Sequence, residues 1–268
     1  MAEISVIMSV YNTEKYLVSA VKSILEQTFS DFEFLICDDC STDASWEILQ
    51  DLASRDNRIK LFRNEKNQGP TVSRNKLQAV ATAPLIAVMD ADDIAFPDRL
   101  AKQYEFMQKH PHIGIAGGQL EIIDETDRKI GTRDYHQDAD KNASGILCSN
   151  PLAHPSVIMR KEVIDALGGY HDIHGCEDYD LWLRAVDHGF AITNLPDRLL
   201  RYRISSGQIK QRYMKGSLRS TIALQKQYLL KRKFFSFKAL FYFFAEHLLL
   251  LLPNKFLLKL FMYLTYKK

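Results

Sequence analysis

Along the first ninety residues, short apolar runs rich in β-branched side chains alternate with stretches in which apolar residues recur every three or four positions. Ile4 to Val10 is such a run; Asn12-Thr13-Glu14 follows, and then Tyr16, Leu17, Ala20, Val21, Ile24 and Leu25 fall at helical spacing. The spacing predicts strand, turn, helix. The round repeats in Phe32 to Cys37, the polar turn Asp39 to Asp43, and a helix marked by Trp46, Ile48, Leu49 and Leu52. A third passes from Ile59 to Phe62 through Asn67-Gln68-Gly69-Pro70 into a helix near 71–82, and Leu85 to Met89 makes a fourth strand. This alternation predicts right-handed βαβ units and an α/β fold, Rossmann-like, with a mostly parallel sheet and helices on both faces. Ligands on such sheets lie beyond the carboxyl ends of the strands. The polar clusters Ser9 to Asn12, Asp38 to Asp43, Asn64 to Gly69 and Asp90 to Asp93 all stand at those ends, so they are expected to converge on one crevice.

After residue 110 the rhythm loosens. Ile113 to Gly117 and Leu120 to Ile123 read as strands, 124–134 as a charged loop, and 136–148 as a helix. Pro155 to Arg160 reads as a strand, 161–167 and 177–188 as helices, and Ile192 to Leu195 and Arg198 to Ile204 as edge strands. Beyond these, 210–233 predicts a basic helix, followed by the apolar stretches Ala239 to Ala245 and Leu248 to Leu252, which ends at Pro253, and by a last amphipathic segment at Phe256 to Leu264.

Composition narrows the class. With 268 residues, 46% of them hydrophobic, 25% charged, and only 12 Gly and 8 Pro, the chain is neither fibrous nor disordered. Its net charge of +2 hides a division: residues 210–268 hold thirteen Lys or Arg against the single acid Glu246, which leaves 22 bases and 32 acids before them. The expected organisation is a catalytic domain at 1–209 and a basic, apolar helical segment at 210–268. The acidic front part argues against nucleic acid as a partner, while the tail suits an anionic membrane surface. No uninterrupted apolar run reaches the roughly 18 residues of a span, so helices lying in the membrane plane, peripheral or monotopic, are expected; covering the catalytic core, or a contact between two copies, a homodimer, are the competing uses. Four cysteines without a leader before them suggest a reducing, cytoplasmic setting, and the lone Cys37-x-x-Cys40 is weak as a redox or zinc motif.

Four segments carry chemistry. Asp90-Ala91-Asp92-Asp93, directly after a buried strand, places three carboxylates where they repel one another unless a cation joins them, and hard oxygens suit Mg2+ or Mn2+. Capping of the following helix would account for only part of that cluster. In Asp38-Asp39-Cys40-Ser41-Thr42-Asp43 the last three residues start a helix, whereas Asp38 and Asp39 can accept hydrogen bonds from a nucleobase or ribose. Asn67-x-Gly69-Pro70 with Arg74-Asn75 lets a backbone approach a ligand with an Arg close by. In Cys176-Glu177-Asp178-Tyr179-Asp180-Leu181-Trp182 the acids occupy a helix N-terminus, which the dipole favours, but three exceed what a cap needs; one is a natural general base. No GxGxxG or Walker A sequence occurs.

Together with Ser5-Val6-Ile7-Met8-Ser9-Val10-Tyr11-Asn12, these segments resemble, in order and spacing, the inverting, nucleotide-sugar-dependent glycosyltransferases of family 2, which have the GT-A fold. The resemblance covers about residues 3–207. It implies that Asp39 binds the base, that Ser9, Tyr11, Asn67 and Arg74 line the nucleotide pocket, and that Asp90 and Asp92 contact ribose and diphosphate. It further implies that Asp92 or Asp93 holds Mn2+ or Mg2+ in a DXD-type motif and that Asp178 is the catalytic base. The implied reaction is hexosyl transfer, with a UDP-sugar as the expected donor, to a glycan or glycolipid acceptor in surface polysaccharide, lipooligosaccharide or lipid-linked glycan synthesis. A polyprenyl-phosphate sugar synthase and a nucleotide-binding scaffold without catalysis stay open as alternatives. Two departures stand out: Cys40 occupies a place where the family has Gly, and Ser205 one where relatives carry a His. Weaker metal or diphosphate coordination is the expected consequence, unless His154 or a tail residue compensates; His154 reads more simply as a loop histidine.

Overall fold

The computed structural model describes residues 2–204 and 208–265; Ser205 lies outside them. Its first half follows the predicted order: β1 (Ile4–Val10), α1 (Glu14–Leu25), β2 (Phe32–Asp38), α2 (Ser45–Arg55), β3 (Ile59–Arg63), α3 (Pro70–Val80) and β4 (Leu85–Asp90). The two-residue β5 (Ile94–Ala95), α4 (Arg99–Lys109), β6 (Ile113–Ile123), β7 (Lys129–Arg133) and α5 (Ala139–Gly145) come next. A 3-10 turn at His154–Ser156 leads into β8 (Ile158–Arg160), α6 (Lys161–Leu167), α7 (Glu177–Asp187) and β9 (Ala191–Arg203). The tail holds α8 (Gln208–Leu229), α9 (Phe237–Leu249) and α10 (Asn254–Thr265).

One sheet runs β3-β2-β1-β4-β8-β6-β9-β5, with β7 also paired to β6. β1 to β4 are parallel; β8 is antiparallel to both of its neighbours, and β6 and β9 are parallel. The chain winds from β1 out to β3 and returns to β4 on the other side of β1. That reversal opens a crevice at the carboxyl ends of β1 and β4, where Ser9 lies opposite Asp90 and Val10 opposite Asp38. Side chains of β1 alternate between two cores: Ile4, Val6, Met8 and Val10 pack with α1, α2 and α4, while Ile7 joins Leu77, Val163, Trp182, Leu224 and Tyr228 on the opposite face. At about 1.5–3 kcal/mol for each fully buried aliphatic side chain, these two layers hold the strand ends in place.

The second half departs from the pattern in ways that packing explains. β6 is one strand through Gly117 and Gly118, not two. Those glycines mark the close approach of β9: a Cβ on Gly118 would stand 2.3 Å from Leu199 Cδ1, and one on Gly117 2.6 Å from Asn194 Oδ1. β9 is likewise continuous, with Pro196 falling where its register against β6 shifts between Gly117 and Gln119, a bulge that needs no N–H. Part of the expected charged loop is β7, which pairs with β6 across a bulge at Ile122 and Ile123. Pro155 lies within the first turn of the 3-10 helix rather than in a strand, its fixed φ suiting that place.

The boundary expected at 209/210 falls within α8, whose Leu224, Tyr228 and Leu229 are buried in the second core. α9 shares that core through Ala239, yet Phe237, Phe241, Phe244, Leu248 and Leu251, one stripe at helical spacing, face outward, Phe237 at 83% exposure. No helix among the described residues is long and apolar enough to cross a membrane.

Candidate active site

The turn after β2 is built by its own acids. Asp38 is fully buried, accepts from Ser41 N–H and pairs with Arg63 Nε at 3.0 Å, and that guanidinium covers the Trp46 ring. Asp39, also buried, accepts from Asn64 Nδ2 (2.7 Å) and Gln68 N (2.9 Å) on Oδ1 and from Gly69 N (2.8 Å) on Oδ2. It therefore ties the strand end to the loop that leads into α3, and Gly69 supplies the positive φ of 86° that loop requires. Cys40 has φ 61°, the left-handed region in which glycine is unstrained, which accounts for the family's preference at this place. Asn12, also at positive φ, accepts from Thr42 N–H, while Asp43 and Glu14 bond each other's helix N-termini. Ser9 is half-buried, and Tyr11 and Asn67 are exposed at the rim. Cys37 and Cys40 are free thiols, Cys37 with its pKa pushed up by burial.

The three acids after β4 separate. Asp93 is buried and its Oδ1 accepts from Arg203 N–H at 2.8 Å, while Arg203 Nε donates to the Asp92 carbonyl and its guanidinium lies over Tyr16. Asp93 thus fastens the end of β9 beneath the acidic turn, with fully buried Arg99 near it. Burial pushes the Arg99 guanidinium down to about 10, against the pull of Asp93 and Asp90. Asp90 and Asp92 stay half-buried at the strand tip.

The start of α7 faces the same tip. Its three first-turn acids have three different tasks. Asp180 is buried against Arg184 Nε (2.7 Å) and His171 Nδ1 (3.1 Å), closing the helix onto its approach loop. Glu177 meets Arg74 Nη1 at 3.1 Å, and Arg74 Nη2 reaches Asp90 Oδ1 at 3.3 Å, so one buried guanidinium joins α3, β4 and α7. Asp178 has no cationic side chain in hydrogen-bond contact among the described residues. Its carboxylate accepts only from Tyr179 N (2.7 Å) and Asn150 Nδ2 (2.9 Å). Burial, and then the neighbouring Glu177 charge, push it up to about 6 in spite of those two bonds and Arg74. A carboxylate so placed is poised to take a proton near neutral pH.

Asp178, Glu177, Asp90 and Arg74 line one cavity of about 240 Å3 with Asn150, His154, Arg133, Tyr135 and Tyr202. Asp39, Ser9, Tyr11 and Asn67 are not among its lining residues; they form the neighbouring strand-end turns. His154 is buried, its Nε2 2.9 Å from Tyr170 Oη, and burial together with Arg74 lowers its pKa well below the ordinary histidine value. It is a neutral packing residue, without a charge to place on a diphosphate. Asn150 and Tyr135 carried no motif and could not be found from spacing, and Tyr202 stands in the segment before Ser205 without a role of its own. Glu177 lay inside a recognised motif without a role, though a buried guanidinium such as Arg74 needs an acidic partner. Among the described residues, no group of three or more His, Cys, Asp or Glu is arranged to hold a metal.

The family model for Glycosyl transferase family 2 matches residues 5–168 of the chain. The chain therefore belongs to that family, and it is a glycosyltransferase. Glycosyltransferase WbnJ of Escherichia coli, named for O-antigen biosynthesis, is 32% identical over 251 residues, which span 92% of this chain and 96% of that protein. Uncharacterized glycosyltransferase MJ1057 of Methanocaldococcus jannaschii is 30% identical over 273 residues, spanning 99% and 94%. Among solved structures, S. aureus TarS 1-349 in complex with UDP-GlcNAc superposes with a TM-score of 0.69 at 21% identity, over 86% of this chain and 67% of that one. Mannosyltransferase PcManGT from Pyrobaculum calidifontis, in complex with GDP-Man and Mn2+, gives 0.65 at 15% identity, over 98% and 80%. These likenesses speak for the GT-A fold.

Proposed function

We propose that the protein transfers a sugar from a nucleoside-diphosphate donor, a UDP-sugar being the expected one, to a hydroxyl of a glycan or glycolipid acceptor, with inversion. The observation that carries this reading is the poised Asp178 carboxylate in a cavity shared with Asp90 and Arg74. Asp178 takes the proton of the acceptor hydroxyl as its oxygen attacks the anomeric carbon. A single in-line displacement from the side opposite the leaving group inverts that carbon once. Arg74 keeps Glu177 and Asp90 paired, so the acids flanking the base do not drive it fully to its protonated form. Asp39 fixes the loop of Asn67 to Gly69 beside the strand tip, and Ser9, Tyr11 and Asn67 form the walls on which the nucleoside rests.

Two half-buried hard-oxygen carboxylates one residue apart suit a divalent ion that keeps few protein ligands and completes its shell with phosphates. Asp90 and Asp92 would hold Mn2+ or Mg2+. Asp93, committed to the Arg203 backbone, is the less suitable donor. When bound, the cation supplies neutralisation of the charge that develops on the departing diphosphate. The base favours a hydroxyl acceptor over a lipid phosphate, which needs none. Relatives named for O-antigen and amylovoran biosynthesis support a role in surface polysaccharide assembly.

The tail supports work at a cytoplasmic, anionic membrane face. The outward stripe of α9 carries Phe237, Phe241, Phe244 and Leu248, Leu251 follows in the turn after it, and the exposed Arg232, Lys238, Lys255 and Lys259 lie before, on and after that helix. The decisive test of the reaction is Asp178→Asn. Transfer should fall by about 10^3-fold or more while calorimetry with UDP and Mn2+ shows unchanged affinity; normal turnover in that variant would remove the base assignment.

A further inference from the structure

The segment between α5 and the 3-10 turn has no regular structure of its own, yet it is fixed from two sides. Ile146 and Leu147 are buried; the Ile146 carbonyl accepts from Tyr179 Oη at 2.9 Å and the Leu147 carbonyl from Gln225 Nε2 at 3.1 Å. Three residues on, Asn150 enters the cavity. Its Oδ1 accepts from Leu152 N at 3.3 Å, so the amide end that remains for Asp178 is the donor, and Nδ2 stands 2.9 Å from Oδ2. Turning the amide over would set oxygen against carboxylate and N–H against N–H, two repulsions for two bonds lost.

We infer that Asn150 is a positioning residue for Asp178, holding the carboxylate toward the cavity with its Oδ2 engaged on one side and a lone pair free for the acceptor hydroxyl. This rests on the reading of Asp178 as the base. The charged and titratable groups around that carboxylate are Glu177 and Cys176 from its own helix region, Arg74 from α3, Asp90 from β4, and Tyr170 and His154 from the loops opposite. Among the described residues none of them hydrogen-bonds to it; the Asn150 amide is the one side chain that does. α8 braces both members of the pair. Gln225 grips the Asn150 segment, and the Ser217 carbonyl and Thr221 Oγ1 contact Cys176 Sγ at the head of α7. The orientation of the base is thus set in part from the tail.

The test is a carboxyl-carbon NMR titration of Asp178 in the full-length protein, which needs no knowledge of donor or acceptor. In Asn150→Ala the apparent pKa should move upward by about one unit, the loss of one charge-assisted hydrogen bond. Asn150→Asp, of the same shape but bringing a second negative charge, should move it further. In parallel, sugar transfer or donor hydrolysis with UDP-GlcNAc as probe should fall about 10- to 100-fold in kcat with the UDP affinity unchanged, and its acid limb should shift upward with the NMR value. A titration of Asp178 unaltered in both variants would overturn the inference, whatever the activity. Activity that survives Asp178→Asn would instead overturn the base assignment and leave the NMR result to stand by itself. Should Asn150→Ala fail to fold, Asn150→Asp alone decides.

Discussion

Two aspartates, Asp39 and Asp178, stand beside one crevice, the first buried and the second half-buried, and are treated in opposite ways. Around Asp39 the chain supplies three donors, two of them backbone N–H groups from the loop entering α3. Around Asp178 it supplies two, and places Glu177 alongside. The first carboxylate is held by the chain at both of its oxygens; the second is left under-compensated. The difference teaches that two acids in recognised motifs are told apart by the count of donors and the sign of the charges around them, not by burial alone.

The strongest test of the contrast is the matched pair of amide variants. Asp178→Asn should remove about 10^3-fold or more of activity, yet above pH 6 it should melt a few degrees higher than the parent. The sign follows from the raised pKa: a carboxyl at about 6 folded and 3.8 unfolded gives stability that is present below 3.8 and lost as pH rises through 6, and Asn cannot ionise. Asp39→Asn should go the other way, turning an amide N–H2 toward buried donors and costing about 2–3 kcal/mol in denaturant unfolding. If both variants shift stability in the same direction, the contrast between the sites is gone. Next in size is the tail. Phe241→Asp with Phe244→Asp should weaken sedimentation with anionic phosphatidylglycerol vesicles by tenfold or more, while the UDP affinity stays the same; equal binding by the variant would leave the stripe without a membrane role. A kcat/KM profile should then rise about tenfold per pH unit below 6 and flatten above it. Smallest is Cys40→Gly, which removes left-handed strain of about 1 kcal/mol at the cost of a looser unfolded chain, and should raise the melting temperature by no more than about 3 °C.

Much of the first half was legible because each strand there is a clean apolar run and each polar cluster follows one. The crossing from β1 through β3 back to β4 could be inferred, and with it the convergence of Ser9, Asp38 and Asp90. The second half was less legible for identifiable reasons. Gly117, Gly118 and Pro196 look like breaks in a one-dimensional pattern, but they are accommodations to a neighbouring strand. β7 lacks alternation because its partner, not its own composition, makes it a strand. Asp178 was visible as a candidate among three acids, whereas what separates it from Glu177 and Asp180 is the partners Arg74, Arg184 and Asn150, two of them far away in sequence. Asp93 shows the reverse: its spacing suits a metal ligand, and its bond to Arg203 N–H gives it other work.

Because α8 seals Cys176 and the segment leading to Asn150 before α9 turns its aromatic stripe outward, the two uses of the tail can be cut apart at one bond. A chain shortened after Phe234, which still buries that ring against Tyr228, keeps the seal and discards the greasy surface. One shortened at 209 would strip Cys176 and the Asn150 segment of their cover. The first is the form to take to crystallisation without detergent.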